Sequence, residues 1–482
     1  MFTLAELLSI YGKPATKDAA AEGVSFGGVA VDSRSCRPGD LFVALPGERR
    51  DGHDFIAAAL ASGCRGAMAR SGKLVAAQCD VLCARTYEWS GVGWRVEGPA
   101  DAPTILVLVP DTLAALQRLA AWWRSRFSPQ VIGVTGSVGK SSTKELLAAI
   151  LAMHMPILKS ERSYNNEIGL PLTLLALREE HRAVIVEMGT YGPGEIALLA
   201  EIARPQIGVV TNVSHSHLER MGSLETIARC KAELPAALPR DGLAVLNGDE
   251  PLVRAMATVT PASVCLYGLG PECHLRGSQV QSHGLAGFSF RVQEGSEAHS
   301  LHCALPGRHN VYNALAAIAV ARHLGLSWEE IAAGLENPQA HLRLVPLPAV
   351  GGATLLDDTY NASPYSCRAA LDLLAELSGR KVAVLGDMYE LGTFEEEGHR
   401  RVGRWAAAVV EELHTLGPRA RWIAEEAVAS GMPAERVHPA TTHEEVIQAL
   451  RGRLRPGDVV LVKGSRAMEM ERIVEALRRE ER

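Results

Sequence analysis

Val131-Ile132-Gly133-Val134-Thr135-Gly136-Ser137-Val138-Gly139-Lys140-Ser141-Ser142 decides how this chain is read. An apolar run of strand character leads into a Gly-containing loop, a lysine, two hydroxyls and then an apolar-periodic helix. Such a stretch can cradle a triphosphate. Glycines let backbone N–H groups approach phosphate oxygens, and the helix N-terminus adds positive potential. Lys140 supplies a point charge, and Ser141 can reach a magnesium ion. The match to the usual phosphate-loop pattern is incomplete, because Val134 stands where its first glycine falls.

At 482 residues the chain is too long for one core, and its length suggests about three domains. Apolar residues make up 47% and charged residues 22%, the balance of a globular protein and not of a disordered one. A net charge of −6 argues against a general nucleic-acid binder while leaving room for a local cationic pocket. Nine cysteines without a CxxC pair call for no disulfide framework. Met1 to Ile10 carries Glu6 and lacks a basic leader segment, so it reads as a folded helix. No apolar run reaches membrane-spanning length. The expectation is a soluble, cytoplasmic protein.

The alternation of apolar runs and helical periods predicts an α/β chain in three domains, residues 1–98, 99–326 and 327–482. The first mixes short strands, Gly28–Val31 and Leu41–Leu45, with a helix from about Asp54 to Ser62. The second opens with a strand at Ile105–Val109 and a helix over Thr112–Phe127. Its strands Ala183–Val186, Ile207–Thr211 and Leu243–Leu246 alternate with helices, which predicts a largely parallel sheet with its ligand at the strands' C-terminal ends. Glu187 follows one of these strands, His217 and Glu219 follow another, and together they become plausible metal ligands beside a phosphate loop. Lys231 is the one lysine between Lys159 and Lys381. In the third domain strands are expected at Thr354–Leu356, Lys381–Leu385 and Val459–Val462, with helices to Leu377, to about Leu413 and from about Ala467. Polar residues gather at the strand ends: Asp357-Asp358-Thr359-Tyr360-Asn361, Gly386-Asp387-Met388 and Lys463-Gly464-Ser465-Arg466.

Together these residues resemble the Mur ligase family of ATP-dependent peptidoglycan precursor ligases. Asp32-Ser33-Arg34, Leu41-Phe42-Val43-Ala44-Leu45-Pro46-Gly47 and Asp51-Gly52-His53-Asp54 look like the family's UDP-binding N-terminal domain. Thr135 to Glu145 looks like its ATP loop, which accounts for the irregular pattern. Gly307-Arg308-His309-Asn310 with Asn313-Ala314 looks like its nucleotide-contacting helix start. Asn165-Asn166-Glu167-Ile168-Gly169 and Asp357 to Pro364 are most like the members that join D-alanyl-D-alanine to UDP-N-acetylmuramoyl-tripeptide. Departures are Val138 where Asn is commoner, Ser141-Ser142 for threonines, and His341-Leu342 where a glycine usually precedes Arg343.

The resemblance implies a P-loop ATPase-type central domain and a Rossmann-like C-terminal domain. It implies ATP contacts at Thr135, Gly136, Ser137, Val138, Gly139, Lys140, Ser141, Ser142, Asn310, Arg343, Asp358, Tyr360 and Asn361. Ser141, Glu187, His217 and Lys231 would hold magnesium, with Lys231 carbamylated, and Lys140, Lys231, His217 and Glu187 would serve catalysis. Ser33, Arg34, Asp54, Asn165, Asn166 and Lys463 would contact the UDP-sugar peptide and the dipeptide. A monomer is expected, with no nucleic-acid partner and no membrane insertion. The alternative is the sibling ligase that adds the third amino acid to UDP-N-acetylmuramoyl-dipeptide. In its diaminopimelate form that enzyme typically carries Asp-Asn-Pro-Arg, which is absent here.

Overall fold

The computed structural model describes residues 1–12, 19–47, 50–73, 83–161, 164–215, 218–337 and 344–479. His217 and Arg343, both expected in the site, lie outside the described residues. The chain divides into two compact units. One holds residues 1–129, 160–182 and 198–204; the other holds 130–159, 183–197 and 205–482.

The first unit carries a six-stranded sheet in the order Val29–Ala30, Leu41–Val43, Gly66–Arg70, Thr104–Val109, Ala84–Trp89, Trp94–Glu97, parallel except for the last pair. The expected strand before the phosphate loop therefore forms as Thr104–Val109, but it pairs with Gly66–Arg70 and Ala84–Trp89 in this sheet. Its uniformly apolar run Ile105-Leu106-Val107-Leu108-Val109 suits any strand buried on both faces, so sequence alone leaves its partners open. The helix Thr112–Ser125 follows, capped by the Asp111 carboxylate, and its Trp123 indole donates to Leu177 O at 3.1 Å.

The second unit holds two sheets. The nine-stranded one runs Ile157–Lys159, Ala183–Glu187, Gln130–Thr135, Ile207–Val210, Leu243–Asn247, Ser263–Gly268, Leu275–Ser282, Phe288–Glu294, Glu297–Cys303. The first seven strands are parallel; Phe288–Glu294 then pairs antiparallel with both Leu275–Ser282 and Glu297–Cys303. That antiparallel ribbon is not anticipated by the sequence reading. Its strands alternate polar and apolar residues, with Phe288, Phe290 and Val292 turned into the core and their neighbours outward, as befits a half-solvated hairpin. Leu146, Leu147, Ile150 and Leu151 of helix Lys140–Ala152 are buried in the same core. Each contributes about 1.5–3 kcal/mol by leaving water. Gly334 lets a neighbouring helix close on Ile150, whose Cα lies 2.5 Å from where a Cβ would stand.

The other sheet orders Val345–Pro348, Thr354–Asp358, Val459–Lys463, Lys381–Gly386, Glu412–Leu416, Val437–Ala440, with only the first strand antiparallel. The helix expected to run to about Leu413 ends at Ala407, and Glu412–Leu416 is a buried strand. Glu412 and His414 give that stretch a polar, helix-like look, but their side chains pair with each other at 2.8 Å, which satisfies them inside the sheet. The terminal helix spans Glu471–Leu477. Among the described residues no helix is long and apolar enough to cross a membrane, and the eight described cysteines are free.

Candidate active site

The phosphate-loop strand Gln130–Thr135 lies between Ala183–Glu187 and Ile207–Val210, with Val134 opposite Glu187 and Thr135 opposite Val210. The chain departs to one side of this strand and then to the other, so a crevice opens at its C-terminal end. Gly136 has φ 145° and Gly139, the residue before the helix, has φ 88°. Both values are costly for residues with a Cβ. Space forbids one as well: a Cβ on Gly136 would stand 1.8 Å from Thr211 Oγ1, and one on Gly139 would stand 2.5 Å from Asn313 Oδ1.

The loop is braced from two sides. Asn212 Oδ1 accepts from Val138 N at 2.9 Å while its amide donates to Val138 O at 2.8 Å, and Asn212 O accepts from Ser137 N at 2.9 Å. Thr211 Oγ1 adds a 2.6 Å bond to Val138 O. From the helix Val311–His323, Asn313 Oδ1 accepts from Thr143 Oγ1 at 3.2 Å, and its amide donates to Asn310 Oδ1 at 2.6 Å. Asn310 is buried and also donates to Pro306 O. The expected nucleotide-contacting helix start and the helix that follows the phosphate loop are thus joined by hydrogen bonds. Ser142 is half-buried on the first turn of the loop's helix.

Lys140 Nζ donates to Gly136 O at 2.7 Å and Ser137 O at 3.1 Å, folded over its own loop. Ser141 Oγ donates to Glu187 Oε2 at 2.6 Å, so two of the expected metal ligands meet. Glu187 is fully buried. Lys231 sits on the helix Leu224–Ala236, on its inward face with Ile227, Cys230 and Leu234. It is 4% exposed, and among the described residues no carboxylate forms an ion pair with it. Burial, and then the charge of Lys140, bring its amine down to about 7. A magnesium ion fits this donor set. Ser141 and Glu187 are hard oxygen ligands, and Lys231 becomes one on carbamylation.

In the last sheet Asp358 and Lys463 are register partners on adjacent strands. Lys463, 2% exposed, bonds to Asp358 Oδ2 at 2.6 Å and to Asn361 O at 2.8 Å. Lys463, an expected substrate contact, also organises two expected ATP contacts. Lys463→Met should cost about 3–5 kcal/mol, because it leaves the Asp358 carboxylate, only 13% exposed, without its partner; a urea unfolding midpoint reads this directly. Tyr360 follows in the same turn. Asp387, at the neighbouring strand end, accepts from Arg419 N and Ala420 N, and burial raises its carboxyl above the usual range.

In the other unit Asp32 caps the short turn Ser33–Ser35 and grips Arg34 through a guanidinium fork with contacts of 2.6 to 3.2 Å. Arg34 is otherwise in solvent, as is Asp54. Asp51, held down by Lys73 and His53, caps the turn Gly52–Phe55. Asn166 Oδ1 accepts from Gly169 N at 2.9 Å and Ile168 N at 3.3 Å, so its side chain shapes the helix start Gly169–Leu175. Asn165, beside it, is half-buried. Thr211 and Asn212 are absent from the expected set, although two polar residues closing an apolar strand beside a phosphate loop are a readable signal.

Three family models match the chain: Mur ligase family, catalytic domain over residues 25–89; Mur ligase middle domain over 134–321; and Mur ligase, glutamate ligase domain over 343–466. The UDP-N-acetylmuramoyl-tripeptide–D-alanyl-D-alanine ligase of Synechocystis is 39% identical over 95% of this chain and 93% of its own. The enzyme of that name from Bacillus subtilis is 36% identical over 93% of each. Among solved structures, MurF from Acinetobacter baumannii superposes with a TM-score of 0.81, 28% identity and 98% of both chains covered. MurF from Thermotoga maritima, in complex with ADP, gives 0.75 at 28% identity, over 93% of this chain and 96% of its own. With relatives at this identity over nearly its whole length, the chain belongs to the Mur ligase family.

Proposed function

We propose that this enzyme joins D-alanyl-D-alanine to UDP-N-acetylmuramoyl-tripeptide at the expense of ATP, as a monomer in the cytoplasm. The observation that carries this reading is the near full-length similarity to ligases of that name, combined with a braced phosphate loop beside paired Ser141 and Glu187 and buried Lys231.

A substrate carboxylate must attack the γ-phosphate of an anion, so charge repulsion is the first barrier. Loop N–H groups that Asn212 does not already engage, those of Gly139 and Lys140 among them, hold the phosphates, and Lys140 leaves its loop carbonyls to meet the transferring group. Ser141, Glu187, carbamylated Lys231 and His217 would hold magnesium, which when bound neutralises phosphate charge. The depressed amine of Lys231 suits carbamylation, since only the neutral form attacks carbon dioxide. Attack forms the C–O–P link of an acyl phosphate and releases ADP. The dipeptide amine then adds to the activated carbonyl, loses a proton, and expels inorganic phosphate. Asn310 would contact the nucleotide base, with Arg343, Asp358, Tyr360 and Asn361 completing the ATP site. Ser33, Arg34, Asp54, Asn165 and Asn166 would bind the UDP-sugar peptide.

Phosphate release with ATP, magnesium and UDP-N-acetylmuramoyl-tripeptide tests the assignment. It should require D-alanyl-D-alanine and yield a product heavier by that dipeptide less one water. Release with a single amino acid and the dipeptide-stage substrate would move the enzyme to the sibling step. Release indifferent to any amine would overturn the ligase assignment.

A further inference from the structure

The last sheet carries a second cluster of ligand-type side chains, toward the end of the strands opposite Asp358 and Lys463. Alternation along Glu412–Leu416 puts Glu412 and His414 on one face, and the register sets His438 directly beside His414 on the next strand. His414 Nε2 lies 2.8 Å and His438 Nε2 3.5 Å from the same oxygen, Glu412 Oε1. One ligand atom from each residue falls within 4.8 Å of the others. The two imidazoles are neighbours tilted against each other, with centroids 4.8 Å apart and planes at 32°.

An ordinary buried carboxylate–histidine pair needs one imidazole; here a second, register-matched one converges on the same oxygen. The remaining oxygen, Oε2, is held by Arg380, whose other nitrogen binds Asp458 Oδ2 at 3.0 Å. Arg380 is therefore shared between two carboxylates, and Oε1 is left to the rings. Arg453 reaches Oε1 only at 3.8 Å and is 60% exposed, so it can withdraw. Glu412 and His414 are buried, while His438 is about a third exposed and opens the cluster to solvent.

We propose that Glu412, His414 and His438 form a binding site for a divalent transition-metal ion, clipping the strands Glu412–Leu416 and Val437–Ala440 together. Two imidazole nitrogens and one carboxylate oxygen match zinc and its neighbours, and discriminate against magnesium. Tetrahedral zinc places its ligand atoms about 3.3 Å apart, between the two separations found around Oε1. The solvent side leaves the fourth position to water.

The test is zinc titration of the full chain by isothermal calorimetry with magnesium and ATP saturating, alongside His438→Ala and His438→Cys. Wild type should bind one zinc ion that His438→Ala does not. The loss should exceed the roughly 10–100-fold that removal of an outer-shell partner costs, and the cysteine thiolate should restore binding. Cobalt should give the visible absorption of a four-coordinate site in wild type and His438→Cys but not in His438→Ala. ATP-dependent phosphate release by His438→Ala should match wild type. Identical zinc isotherms for wild type and His438→Ala would overturn the site, as would displacement of the bound zinc by magnesium.

Discussion

Lys231→Arg should lower kcat by about 10²–10³-fold, the loss that follows removal of one preorganised charge-stabilising group, while nucleotide affinity changes little. The side chain is held on the inward face of its helix and is 4% exposed. Arginine keeps the positive charge but stays protonated in proteins, so it cannot become an anionic oxygen ligand. Its bulk also enters a packed site beside Leu234 and Cys230. The readout is steady-state phosphate release together with nucleotide titration. A fall in kcat without a matching loss of ADP binding supports a role in the transferring step. Full activity in Lys231→Arg would exclude carbamylation. The depressed amine adds a pH signature in the same assay. Below about 7 the ammonium form predominates, so at a fixed concentration of dissolved carbon dioxide, reactivation of carbon-dioxide-stripped enzyme should slow as pH falls below about 7 and level off above it.

Gly136→Ala should abolish nucleotide binding and destabilise the second unit by about 2–5 kcal/mol, the sum of a strained backbone and an overfilled contact. The new methyl would meet Thr211 Oγ1 at 1.8 Å, far inside contact distance. Thr211 cannot swing away freely, because the same hydroxyl holds Val138 O at 2.6 Å. Relief must come from the loop backbone, which displaces the N–H groups that face the phosphates. Thermal melts with and without ADP separate the two effects. The variant should melt lower and should no longer gain stability from ADP. Retention of the wild-type ADP-induced shift would show that the loop does not form the phosphate cradle.

The chain announces its phosphate loop because three physical demands fall on neighbouring residues: a strand, glycines with positive φ, and a helix start. It also announces Glu187 and the Asp358 turn, as polar residues that close apolar strands, and Lys231 as the one lysine between Lys159 and Lys381. What it hides is pairing. Nothing in Ile105-Leu106-Val107-Leu108-Val109 says which sheet takes it, because a strand buried on both faces has no distinguishing side. Glu412 and His414 disguise a strand, since polarity reads as exposure until the partner 2.8 Å away is seen. The role of Lys463 is obscured for the same reason: its partner Asp358 lies 105 positions earlier in the chain and reaches it only through sheet register.

Lys140 spends the resting state bonded to Gly136 O and Ser137 O. A polyphosphate can replace those two neutral acceptors with anionic oxygens, whereas an uncharged ligand of similar shape could break them and return nothing. Nucleosides should therefore bind this loop far more weakly than their polyphosphates, whatever base they carry, because only charged oxygens offset the lysine's loss of its two carbonyl bonds.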